Sequence, residues 1–483
     1  MVMQYYAGSG MMKITLCNLG AVREARIDLK PLTVFIGENG TGKTWAAYTI
    51  AGVLGDYGFN YYKNEYMEGR TSFRYEPLEK AVAEFTEKGN AKINIVEFAK
   101  NFIEIYMNET AKLAPEWVNR FMASKRIDSN DMKIHIELSE DIKYKIFDSL
   151  RNSAVRKETG IGTDSSITLN LLKEKKSDKL YYYIKYESHN SGEIPSPVLN
   201  KEIREFAVSE TFGFIRNVLF HNTPVFPTER TALITFPFAS SVQYENREKY
   251  KSKKREQSKG IEQSWISEPV KIFLEMLKSS FKEHFNRKIQ QIYHPKIKEF
   301  INLANFLENE ILLGTIDYEQ YGSNFELVYR LPENTNLELN VSSSMVKELA
   351  PLALYLKFLA QPVDLLVIDE PEMNLHPAAQ VEITEFLAML VNAGLNVLIT
   401  THSPYIVDHL ANLMQAAKSD DKEKIRELFY LERTDAFIEQ DNVSICLFEN
   451  GTVRNIVDEK GVIDWSTFGN VSSDLAAIYS SLI

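Results

Sequence analysis

Apolar positions along the chain fall into three patterns, and each predicts a different kind of element. Unbroken runs come first: Leu32-Thr33-Val34-Phe35-Ile36, Leu365-Leu366-Val367-Ile368 and Asn396-Val397-Leu398-Ile399-Thr400-Thr401. A run of this kind suits a strand inside a parallel sheet that is covered on both faces. Spacing of three and four marks helices between about 60 and 130, through Val82, Phe85, Ile95, Phe98, Phe102 and Ile105. The same spacing returns from about 260 to 312, through Ile272, Phe273, Leu277, Phe281, Phe300, Leu303 and Phe306. Between Met132 and Tyr186 the period is two. There Ile134, Ile136 and Leu138 alternate with Lys133, His135 and Glu137, and Ile167–Leu171 is expected to pair with Tyr181–Tyr186 across a polar turn at Lys175–Asp178. After the third run a helix is expected near Tyr405–Ala417, then strands near Ile445–Phe448 and Thr452–Ile456. No repeat period stands out, and no heptad run is long enough for an extended coiled coil.

Each apolar run leads into residues with chemistry. Leu32–Ile36 is followed by Gly37-Glu38-Asn39-Gly40-Thr41-Gly42-Lys43-Thr44, the spacing G-x-x-x-x-G-K-[ST]. Glycines at these positions let the backbone turn its N–H groups toward a phosphate, Lys43 reaches the terminal phosphate oxygens, and Thr44 offers a hydroxyl to Mg²⁺. The helix expected over Trp45–Leu54 adds a dipole that suits an anion. Leu365–Ile368 runs into Asp369-Glu370, placed to support Mg²⁺ and to orient or deprotonate an attacking water. The third run ends on His402-Ser403-Pro404. His402 stands where ligands bind in parallel α/β sheets, and its imidazole suits a sensor of the terminal phosphate.

The order GENGTGKT, LLVIDEPEMNLHP, VLITTHSPYIVDHL resembles the ABC-type ATPases of the RecF, SMC and OLD (overcoming-lysogenization-defect) branch, and most of all the OLD-like AAA ATPases. The resemblance implies an α/β P-loop ATPase with a mostly parallel sheet core, a large mixed helical and β insertion, ATP with Mg²⁺ as the bound nucleotide, and composite sites between head-to-tail protomers. The signature segment that caps a partner's nucleotide would be Val341–Leu349, with Ser343 on the signature serine and Ser344 beside it. Here Ser344 and Met345 stand where the transporter and SMC pattern has two glycines, which makes close backbone approach to a phosphate harder. Glu372–Pro377 resembles the D-loop. Its Asn374 and His376 either cross the interface or shape the turn before the helix opened by Pro377. Val225–Arg230 resembles a Pro-x-Glu-Arg segment of OLD-like ATPases, in which Arg230 either bridges the sheet to the site or pairs with Glu229.

Lys43 and Asp369 are separated by most of the 483 residues, so a large insertion must divide the two halves of the site. The expected organisation is a first core half over 12–60, an insertion over 61–215, a return to the core over 216–245, a helical segment with a basic run over 246–330, and a second core half over 331–483. OLD nucleases carry a TOPRIM domain after the ATPase. The residues after His402 instead read as completion of the ATPase, with no nuclease site evident.

Charge and composition narrow the partners. A net charge of −11 argues against a uniformly basic nucleic-acid surface, although the run Arg247–Arg255 with its interleaved Tyr250 could grip phosphates. Only Cys17 and Cys446 occur, so neither a disulfide framework nor a zinc site is supported. With no long apolar span and no leader-like N-terminus, a cytoplasmic protein without a membrane anchor is expected. By resemblance the chain is the ATPase subunit of a bacterial anti-phage system, acting with a separately encoded effector such as a nuclease. The alternatives are a RecF- or SMC-like DNA-repair ATPase that clamps DNA directly, and a low-turnover ATP-gated scaffold.

Overall fold

A computed structural model describes residues 12–161, 167–186, 196–235, 266–286, 295–321, 324–333, 335–458, 460–463 and 477–481. The basic run Arg247–Arg255 lies outside them. The strands, in chain order, are β1 (Met12–Leu19), β2 (Val22–Leu29), β3 (Leu32–Gly37), β4 (Asn90–Asn94), β5 (Lys133–Leu138), β6 (Val155–Ile161), β7 (Ile167–Lys173) and β8 (Lys179–Tyr186). They continue with β9 (Val225–Phe226), β10 (Thr315–Tyr321), β11 (Asn324–Arg330), β12 (Asn336–Glu338), β13 (Leu365–Asp369), β14 (Asn396–Thr400), β15 (Val443–Glu449) and β16 (Thr452–Asn455).

Nine of these form one sheet in the order β5-β1-β2-β16-β15-β3-β14-β13-β9. From β15 to β9 every neighbouring pair is parallel. The opposite edge is antiparallel through β5, β1 and β2. This is an α/β architecture whose parallel half is built from the unbroken apolar runs. The side-chain period of two explains why those runs must be apolar throughout. Leu365 and Val367 enter one buried core while Leu366 and Ile368 enter the other, and β3 divides in the same way, with Phe35 on one face and Leu32, Val34 and Ile36 on the other.

The helix Lys43–Leu54 packs in the first core, together with the helices and the antiparallel sheet β4-β8-β7-β6 of the insertion. The helices Ser344–Phe358, Pro377–Asn392 and Pro404–Ala417 pack in the second. The helices Lys43–Leu54 and Ser344–Phe358 therefore lie on opposite faces of the sheet.

Several elements differ from the sequence reading. β5 alternates as expected, yet it is hydrogen-bonded to β1 in the large sheet, Ile14 opposite Ile136, rather than to the insertion's own strands. A short strand, β4, interrupts the helices between 60 and 130 and edges the insertion sheet on β8. The segment read as helical up to 330 ends in the hairpin β10–β11. The expected pairing of β7 with β8 is present, with Ile167 opposite Tyr186 and Leu172 opposite Tyr181.

Candidate functional site

Parallel register places three strand ends side by side. Asp369 of β13 lies opposite Thr400 of β14, and Thr400 lies opposite Phe35 of β3, two residues before Gly37. The Gly37–Thr44 loop, the Asp369-Glu370 pair and His402 thus leave the same edge of the sheet, where the carboxyl ends of parallel strands bind ligands. Between them is a cleft of about 300 Å³, lined by Ala21, Asn39, Gly40, Gly42, Lys43, Thr44, Trp45, Glu370 and His402.

The loop is tight around its lysine. Gly42 has φ 96°, and a Cβ there would stand 2.6 Å from the Val22 side chain, so both conformation and space require glycine. Lys43 is 5% exposed and opens the helix two residues earlier than the spacing suggested. Its ammonium donates to the carbonyls of Gly37 (2.9 Å) and Glu38 (2.8 Å). Burial lowers its pKa, against the opposing pull of Glu370, Asp369 and Glu372. Thr41 donates to the Glu38 carbonyl at 2.9 Å, which fixes the exposed crest Glu38-Asn39-Gly40.

Asp369 gathers hydroxyl groups. Thr44 donates to its Oδ1 at 3.0 Å and Tyr48 to its Oδ2 at 3.1 Å, and the Thr400 hydroxyl also donates to Oδ1. Tyr48 was missed in the sequence. It follows Thr44 by four residues and so shares its helix face, a signal that was available. Burial, followed by Asp369, raises the Tyr48 pKa well above its ordinary value, which keeps it a donor. Thr44 and Asp369 together fit a Mg²⁺ ion, whose remaining ligands would be phosphate and water oxygens. Among the described residues no group of three or more His, Cys, Asp or Glu side chains could hold a metal alone.

Glu370 has a backbone φ of 50°, in the left-handed region. A non-glycine residue held there is strained, and such strain collects at functional sites. The conformation is pinned from both sides: its N–H donates to the Thr400 carbonyl (3.0 Å), and its own carbonyl accepts from Arg230 (2.7 Å). Burial and then the neighbouring charges of Asp369 and Glu372 raise the Glu370 pKa, the direction that favours a base. His402 Nε2 lies 3.7 Å from Glu370 Oε1. Burial and then Lys43 lower the pKa of His402, so it stays neutral near pH 7. Its backbone N–H donates to Glu372 at 2.7 Å, and so does the Thr401 hydroxyl. Glu372 thus orients the strand end that carries the imidazole, a second residue not singled out from sequence.

Arg230 bridges rather than pairing with Glu229. The guanidinium is 1% exposed, and it donates to the carbonyls of Asp369 (2.6 Å) and Glu370 while forming an ion pair with Glu348 of the signature helix. β9 brings it there by pairing with β13, Val225 opposite Val367.

Ser343, Ser344 and Asn374 do not line this cleft. Ser343 is exposed and caps its helix, with its hydroxyl accepting from the Val346 N–H at 3.3 Å; Ser344 is exposed as the first helical residue. Asn374 is exposed at φ 62° and its side chain hydrogen-bonds Glu348. His376 caps the helix Pro377–Asn392 by accepting from the Ala378 N–H at 3.3 Å. One chain thus brings Lys43, Thr44, Asp369, Glu370 and His402 together and leaves Ser343 and Ser344 facing outward.

The same span, residues 11–407, matches the family described as AAA ATPase domain. The chain belongs to that family. A 75-residue stretch of the chain is 39% identical to the Old nuclease of Escherichia phage P2, covering 14% of this chain and 13% of the phage protein, which fits an OLD-like ATPase. Among solved structures, this AAA ATPase is similar to the Smc head domain with an extended coiled coil bound to the C-terminal domain of ScpA, derived from Pyrococcus furiosus. That likeness has 11% identity and a TM-score of 0.36, covering 97% of this chain and 98% of that one. The SMC head domain from Thermotoga maritima has 11% identity and a TM-score of 0.29, covering 92% and 98%. Among the described residues of the AAA ATPase, no helix is long and apolar enough to cross a membrane.

Proposed function

We propose that this AAA ATPase binds Mg-ATP in the cleft and hydrolyses it when a second protomer closes the site. The observation that carries the reading is the convergence of Lys43, the Thr44–Asp369 contact at 3.0 Å, Glu370 and His402 on one cleft. Lys43 and the loop amides hold the β and γ phosphates, and Thr44 and Asp369 hold the metal, which when bound neutralises charge on the phosphates. Glu370 takes the proton from the attacking water, and neutral His402 hydrogen-bonds the γ-phosphate. Ser343 and Ser344, at an exposed helix N-terminus, cap the nucleotide of the partner, with Asn374 at the same interface.

The state set by nucleotide would be read by a separately encoded effector such as a nuclease, in a bacterial anti-phage system. Local similarity to the phage P2 Old nuclease supports that direction. A second reading, an ATP-gated scaffold with little turnover, is favoured by Ser344 and Met345, whose side chains hold a partner's phosphate farther from the helix end. Steady-state phosphate release decides between them. Turnover per protomer should rise with protein concentration in the wild type and fall by two or more orders of magnitude in Glu370→Gln. Tight ATP binding with no turnover at any concentration would favour the scaffold.

A further inference from the structure

The proposed hydrolysis uses only part of the cleft lining. It assigns Glu370 and His402 to the γ-phosphate and Lys43 and Thr44 to the phosphates and metal, which leaves Ala21 and Trp45 of the cleft lining without a role. A nucleotide anchored by its phosphates must extend its nucleoside away from Glu370 and His402. Of the helix Lys43–Leu54, every residue is buried except Thr44 and Trp45. Trp45 is 37% exposed, a large aromatic left at the mouth of a polar cleft.

Its place is prepared by the turn between β1 and β2. Gly20, at φ 57°, has the six-membered ring of the indole seated on it; a Cβ there would stand 2.1 Å from Cζ3 and 2.3 Å from Cε3. No other residue at position 20 leaves room for the ring in this position. The turn fixes one side of the indole and leaves another open to the cleft.

We propose that Trp45, seated on Gly20 beside Ala21, is the stacking platform for the nucleobase. An aromatic face held in place stacks on any base, because every base presents a π-face. Trp45 therefore separates a nucleoside triphosphate from an inorganic polyphosphate and does not by itself separate adenine from guanine. The proposal rests on the cleft being the nucleotide site.

The test measures binding of Mg-ATP, Mg-GTP and Mg-tripolyphosphate to the full chain by titration calorimetry, for wild type, Trp45→Ala and Trp45→Phe. Trp45→Ala should weaken both nucleotides about tenfold or more and leave tripolyphosphate within about twofold, while Trp45→Phe keeps nucleotide affinity within about threefold. Gly20→Ala, which drives a methyl group into the indole, should move nucleotide affinity in the same direction as Trp45→Ala. The platform is overturned if Trp45→Ala binds ATP as wild type does, or loses ATP and tripolyphosphate equally. If wild type binds none of the three ligands, the nucleotide reading of the cleft falls and the platform falls with it.

Discussion

At the residue scale the chemistry depends on where hydroxyl groups point. Asp369 is 2% exposed, and an isolated carboxylate so buried would be costly; Thr44, Tyr48 and Thr400 supply the donors that offset its lost hydration. Tyr48 touches the carboxylate and does not line the cleft, so it is a positioning residue. Tyr48→Phe should leave ATP affinity within about threefold, while the Mg²⁺ concentration for half-maximal turnover rises about three- to tenfold, since second partners of metal ligands usually matter at that level or above. A metal titration of ATP turnover checks this, and an unchanged Mg²⁺ dependence with lowered ATP affinity would contradict it. The motif residues were legible because their spacing is fixed by the phosphate and metal they serve. Of the partners of Asp369, Thr44 was legible in the motif and Tyr48 was signalled by its helix face, but Thr400 was not legible, because it reaches the carboxylate only through strand pairing.

At the element scale, β9, β13 and the signature helix Ser344–Phe358 are tied together by one arginine. Arg230 caps the carbonyls of Asp369 and Glu370 and meets Glu348 in a pocket where both side chains are almost fully buried. Burial raises the Glu348 pKa, and the Arg230 charge opposes that rise. Removing one partner strands the other: Arg230→Met should destabilise the fold by about 3–5 kcal/mol. Adding Glu348→Met should restore part of that loss, because the uncompensated carboxylate is gone too. Urea unfolding of the two single variants and the double variant measures the coupling, and strictly additive losses would show that the contact is not an energetic unit. From sequence this arginine had two candidate roles. The deciding partner, Glu348, is more than a hundred residues away and joins it only after the sheet forms.

At the scale of the whole molecule, the parallel half of the sheet was legible and the rest less so. Runs such as Leu365–Ile368 announce burial on both faces because one alternate set feeds each core. The antiparallel edge was obscure, since the alternation of β5 says that one face is buried and nothing about which sheet buries it. The hairpin β10–β11 was carried inside a helical segment bounded at 330, although the helical spacing stops near 312 and Gly314 and Gly322-Ser323 bracket β10. Ser343 and Ser344 face outward, and the proposed function assigns them to the site of a second chain. On that proposal, nucleotide joins protomers.

The most direct measurement is the molar mass of Glu370→Gln in solution, by light scattering, with and without Mg-ATP. From a 55.4 kDa chain, the account predicts that Mg-ATP at least doubles the mass, and that adding Ser343→Arg to Glu370→Gln holds the mass at its nucleotide-free value while ATP still binds. A mass that stays the same with and without bound Mg-ATP, or that doubles equally with Ser343→Arg present, would contradict it.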